Sequence, residues 1–241
     1  MNDERRKILK SLIFPAILVL IMWVVKLIEI TFNIDLSGYG LIPLKARGLL
    51  GIITSPFLHE GLSHLFGNSV PIFVLGGLLF YFYPELAWRV FFLIYLITGI
   101  WVWVFARGTG VHIGASGIVN GLAAFLFLSG ILRRETKLMA ITLLITFLYG
   151  GIVWGVFPQL FPTQNISWES HLMGLMAGAM LAVYYKKTGP QRLKYEWEDE
   201  DENEDSNESE NENENNPPDN TGQSRDSTGS SDVIYHYKKD S

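Results

Sequence analysis

The chain has 241 residues, 49% of them hydrophobic, a mean hydropathy of +0.22 and no cysteine. It is too apolar for an ordinary soluble domain, and disulfides, thiolate metal sites and a cysteine nucleophile are excluded. The formal net charge of −5 hides two unlike parts, because residues 1–195 carry 16 basic and 8 acidic side chains whereas residues 196–241 carry 3 and 16.

A membrane-spanning helix needs about 20 mostly apolar residues. Six runs fit or come close: 11–33, 64–83, 88–106, 115–132, 137–157 and 168–186. Residues 1–10 form a basic N-terminal segment, and the first run lacks a small-residue cleavage site, so it reads as a retained span rather than a removable signal. Lys26 and Glu29, one turn apart near its outer end, read as an ion pair or as snorkelling side chains. The stretch 34–63 is too long for a simple turn and carries Leu49, Leu50, Ile52, Ile53 and Phe57, so it is expected to pack on or into the outer leaflet. Residues 188–241 form a tail, and from about 196 its composition collapses to Glu, Asp, Asn and Ser, which cannot bury a core and is expected to be disordered. The VIYHYKK patch at 233–239 is the one part of that tail suited to a partner, whose identity the residues do not reveal.

Six spans put both termini on one side. Arg5, Arg6, Lys7, Lys10, Arg89, Arg133, Arg134, Lys137, Lys186, Lys187, Arg192 and Lys194 fall on that side, against Lys45, Arg47 and Arg107 on the other, which assigns the termini to the cytoplasm. The expected fold is therefore an all-α polytopic membrane protein, a bundle of six transmembrane helices over 11–187 with an acidic tail.

Four polar residues then come to similar depth near the outer surface. His64 and Asn68 begin the second span, Ser116 the fourth and His171 the sixth. His64 and Asn68 are spaced i, i+4 and share one helix face. Polar side chains inside a membrane are costly and face the protein interior, so their agreement in depth points to a shared hydrated cavity. There Ser116 could attack a carbonyl while His171 takes its proton, with the oxyanion received by the Ser116 N–H and the side chains of His64 and Asn68. Glu169 lies on another helix face from His171 and reads as a first-turn residue stabilised by the helix dipole, so a Ser–His dyad is expected rather than a triad. Gly117 and Gly121 on the fourth span, and Gly174 and Gly178 on the sixth, form small-xxx-small faces that would let the two helices approach closely. The segment HEGLSH at 59–64 is one residue too long for the zinc motif HExxH, and a helical offset of five would turn its histidines apart. His112, four residues before Ser116, reads as a solvated loop histidine.

The combination of HEGLSHLFGN at 59–68, GASG at 114–117 and HLMGLMAG at 171–178, in that order across six spans, resembles the rhomboid family of intramembrane serine proteases. The resemblance covers roughly residues 11–187. It implies Ser116 as nucleophile, His171 as general base, and His64 and Asn68 in the oxyanion hole, with His59 as the family's first loop histidine in a supporting role alongside Gly114, Gly117, Gly174 and Gly178. It further implies cleavage of transmembrane segments of other proteins near the outer membrane face, with lateral substrate entry and without metal or cofactor. The bilayer and transmembrane protein substrates are the expected partners, and nucleic acid is not one. Two features depart from the family pattern: Leu50 and Gly51 stand where many members carry Trp-Arg, and Asn120 stands where an aromatic often supports the histidine ring. The competing reading is a catalytically silent rhomboid-like adaptor that binds transmembrane clients, although such relatives generally lack the serine or the histidine. A transporter is disfavoured because no paired interrupted helices or buried acidic relay are visible. A compact six-span core without a targeting sequence suits a prokaryotic plasma membrane.

Overall fold

The computed structural model describes residues 3–108, 110–134, 136–148 and 168–188, and these are mostly helical. In chain order they form α1 (Asp3–Phe32), a first loop containing three 3-10 turns and the four-residue α2 (Gly51–Thr54), α3 (Leu62–Phe82), α4 (Ala87–Phe105), α5 (Ser116–Leu132), α6 (Thr136–Leu148) and α7 (Trp168–Tyr184). Each of the six apolar runs expected to span coincides with one of the longer helices over its described part. The stretch 149–157 of the fifth run and the acidic tail lie outside the described residues.

By length and apolarity alone, α1, α3 and α4 can each cross a membrane, and α5 is a shorter apolar helix of 17 residues. The exposed side chains of α1 make the same point. Ile13, Leu20 and Leu27 are each more than half exposed, an arrangement that water would penalise and hydrocarbon does not. The helix also starts earlier than its apolar run. Tyr81 at the end of α3 donates a hydrogen bond to the Glu4 carboxylate at 3.1 Å, and the Lys7 ammonium sits 4.4 Å from the centre of the Tyr81 ring, so residues 3–10 continue α1.

At the centre stands α5, with twelve of its 17 residues buried, which marks a helix enclosed by others rather than one facing lipid. Its tightest neighbour is α7. A Cβ added to Gly174 would overlap the carbonyl oxygen of Gly117, and one added to Gly178 would overlap that of Gly121. The two glycine faces thus meet backbone to backbone, as their spacing predicts. The far end of this seam is closed by Arg133, which donates to the carbonyls of Tyr185 at 2.7 Å and Thr188 at 2.8 Å and lies 4.8 Å from the Tyr83 ring centre.

A second close approach joins α1 to α3, where Gly76 and Gly77 face Pro15 and Leu12. The Trp23 indole N–H donates to Ser69 Oγ at 3.0 Å, and that hydroxyl in turn donates to the Leu65 carbonyl. Across the first loop, Ile52 packs against Gly99 of α4, while Leu49, Leu50 and Ile53 point outward. The loop therefore rests on α4 and presents an apolar edge of the kind its composition leads one to expect.

Candidate active site

The site is built where three helices begin. Ser116 is the first residue of α5, His171 lies in the first turn of α7, and His64 and Asn68 occupy the first two turns of α3. Helix starts carry N–H groups without intrahelical partners and the positive end of the helix dipole. All four residues therefore gather at the end of the bundle that favours developing negative charge.

The α5–α7 seam determines how Ser116 and His171 are placed. Gly117, next to Ser116, lies so close to α7 that a Cβ there would stand 2.6 Å from Ser170 Oγ and 3.1 Å from the Ser170 carbonyl. Ser170 is the immediate neighbour of His171. Close contact between 117 and 170 brings the backbones carrying Ser116 and His171 side by side. His171 is buried, and Ser116 is half-buried.

The other side of the site is set by Gly114. Its φ of +103° lies in the region that favours glycine, and a Cβ there would stand 2.7 Å from His64 Nε2, 2.8 Å from His64 Cε1 and 3.7 Å from Asn68 Nδ2. This glycine lets the segment leading to Ser116 press against both side chains. Its N–H donates to the Ser55 carbonyl at 2.8 Å, which pins that segment to the first loop. Asn68 is buried, and its side-chain amide donates to the His64 carbonyl at 3.1 Å. Asn120, fully buried on α5, makes the corresponding bond to the Ser116 carbonyl at 2.8 Å. At the position where an aromatic ring is common, this chain thus ties a side chain back to the start of α5.

His59 lies in the first loop, just before the start of α3. Its ring meets that of His64 edge to face, with centroids 5.1 Å apart. Because α3 begins only at Leu62, a helical offset of five does not relate 59 to 64, and the two rings are not turned apart. Neither nitrogen of this buried ring has a hydrogen bond of ordinary geometry among the described residues. Burial pushes its pKa from 6.5 down to about 3; the neighbouring His64 acts in the same direction and the Phe57 backbone acts against it. The ring is neutral at any physiological pH and packs against that of His64. Among the described residues, no three His, Asp or Glu side chains converge as a metal site would require.

His112 stands where its sequence position did not put it, and Lys26 makes its expected ion pair with Glu29 but also reaches beyond it. His112, expected in solvent, is half-buried: its backbone exchanges hydrogen bonds with Leu41 at 2.8 and 3.0 Å, joining the segment before Ser116 to the first loop. Burial lowers its pKa, opposed by the charge of Glu169 in the first turn of α7. Lys26, toward the C-terminal end of α1, reaches the turn that carries His59. Its ammonium contacts Glu29 at 3.1 Å and donates to the carbonyls of His59 at 2.8 Å and Glu60 at 3.2 Å. Beside Ser116, a cleft lies between the first loop, α4 and the segment 112–114, lined in part by Ser55, Tyr95, Thr98, Val102, His112 and Ser170.

Comparison with known proteins identifies the family of the chain. A family model described as Rhomboid domain matches residues 46–188, which include all four residues of the site. An uncharacterized protein of Mycobacterium bovis is 34% identical over 180 residues, covering 72% of this chain and 74% of its own. An uncharacterized protein of Mycobacterium leprae is 32% identical over 178 residues, covering 71% of this chain and 69% of its own. A Bacillus subtilis protein, YdcA, whose name assigns it provisionally to the rhomboid proteases, is 32% identical over 140 residues, covering 54% of this chain and 64% of its own.

Proposed function

Because the chain belongs to the rhomboid family, we propose that it is an intramembrane serine endopeptidase that cleaves transmembrane segments of other membrane proteins near the outer membrane face with a Ser116–His171 dyad. The observation that carries this reading is the glycine seam between α5 and α7, which brings the backbones of Ser116 and His171 close together at the starts of those two helices. In a small-residue stripe of general packing use, the seam would not need a hydroxyl and an imidazole at its head.

The chemistry follows from the groups present. His171 accepts the Ser116 proton as Oγ attacks the scissile carbonyl, and the resulting oxyanion is met by the Ser116 N–H and the side chains of His64 and Asn68. His171 then returns the proton to the departing amine as the C–N bond breaks. Water, deprotonated by the same imidazole, hydrolyses the Ser116 ester and restores the free enzyme. The dipole of α5, directed at the start of that helix, favours the same negative charge. No step requires a metal or cofactor. The Lys/Arg distribution along the chain favours cytoplasmic termini and an outward-facing site, and bacterial relatives favour a bacterial plasma membrane.

Labelling of the detergent-solubilised protein with a fluorophosphonate probe tests the proposal, run beside Ser116→Ala and His171→Ala with mass spectrometry of the modified peptide. Labelling at Ser116, lost in both variants, is the expected result. A folded wild-type protein that takes up no label, next to an active family member that does, would instead favour an adaptor that holds transmembrane clients without cutting them.

A further inference from the structure

The Lys26–Glu29 pair is more than a charge buried at the end of a span. The side chains are only 13% and 9% exposed, so the pair is largely withdrawn from water. Each partner is also engaged beyond the other. Glu29 Oε1 accepts a hydrogen bond from the Leu36 N–H at 3.1 Å, which fixes where the chain leaves α1 for the first loop. The Lys26 ammonium holds the carbonyls of His59 and Glu60, 33 and 34 residues away in the chain, in the turn immediately before α3. That turn carries the His59 ring, which abuts His64, which in turn touches the Gly114 segment. An ammonium suits this position because one group can serve a carboxylate and two carbonyls together, whereas a water molecule would bring no charge to answer Glu29.

We infer that Lys26 is a positioning residue for His64: held by Glu29, it seats the 59–60 turn so that the His59 ring backs the His64 ring at the site. The inference deepens the protease reading and rests on it for its kinetic consequence, but the positioning itself is a structural claim that can be read without turnover. Lys26 touches no reacting atom and acts through the turn. Removing its donors therefore costs less than removing an oxyanion donor, whose loss costs about 10²–10³-fold in rate, and we expect about a tenfold fall in kcat with KM unchanged.

The test uses the full chain labelled with 15N-histidine and reconstituted in nanodiscs. Lys26→Met should shift the imidazole resonances of His59 and His64 and leave that of His171 in place, while Lys26→Arg, which retains a charged multiple donor, should return them toward their wild-type positions. The double variant K26M/E29Q removes the stranded carboxylate should the single variant fold poorly, and it should show the same pattern. Arg133→Met, at the opposite end of the bundle, serves as a control for general destabilisation and should leave the His59 and His64 resonances unmoved. Unshifted His59 and His64 resonances in K26M and K26M/E29Q overturn the inference, as does wild-type kcat in those variants when the wild-type protein is active. A wild-type protein that neither labels nor cleaves refutes the protease reading, while the resonance shifts still decide the positioning.

Discussion

The two halves of the site are held by opposite means. On the α5–α7 side, the residues placed beside each other depend on backbone touching backbone, with Gly117 and Gly121 facing Gly174 and Gly178 and no room for a methyl group. On the α3 side the supports are side chains: the His59 ring edge against His64, the Asn68 amide N–H donating to the His64 carbonyl, and Lys26 holding the turn that carries His59. A glycine seam has few alternative arrangements, because close-packed backbone does not deform gradually. A polar support can be retuned residue by residue. The rigid device carries the groups proposed to exchange a proton, and the adjustable one carries the groups proposed to receive charge.

The largest expected effect comes from removing the reacting group at the head of the seam. Ser116→Ala should bring cleavage and probe labelling to background without lowering the melting temperature, since the hydroxyl is half-buried and the seam itself is untouched. Retained cleavage would remove the mechanism altogether. Next comes damage to the seam. Gly178→Leu should lower both the melting temperature and the turnover, because a side chain there meets the Gly121 carbonyl and overpacking costs about 1–3 kcal/mol or more. A variant with wild-type values for both would show that α5 and α7 need not touch.

On the adjustable side, Asn68→Ala should leave the fold in place and lower kcat by about 10²–10³-fold, the usual cost of losing one oxyanion donor. An unchanged kcat would place Asn68 outside the charge-receiving group. The smallest effect concerns His59. Its folded pKa of about 3 lies below the ordinary 6.5, so the neutral ring favours folding: this stability is fully present above about 6.5 and is lost as pH falls toward 3. The melting temperature should decline over that window, and His59→Phe should make the decline shallower. An identical slope in the variant would mean that other groups carry the acid sensitivity.

Much of the fold was legible in the residues because hydrocarbon leaves backbone polar groups few ways to be satisfied, and long apolar runs must be helical. The start of α5 at Ser116 and the meeting of the glycine faces follow from that constraint and from small-residue spacing. The turn before α3 was not legible in the same way. The relation of His59 to His64 depends on where the helix starts, and periodicity cannot tell Leu62 from a residue one turn earlier. The burial of His112 depends on pairing with Leu41, 71 positions earlier in the chain, and nothing local to either residue announces it.

By itself the sequence determined the family, the apolar helices and the four polar residues that gather at one end of the bundle, because period, spacing and hydrophobicity are local properties that a bilayer reads directly. Only the tertiary structure decided that Lys26 reaches His59, that Gly114 at φ +103° lies against His64, and that Asn120 bonds back to Ser116. Those contacts depend on loop paths and helix starts, which are set by the sum of many weak packing choices across the whole chain rather than by any one segment of it.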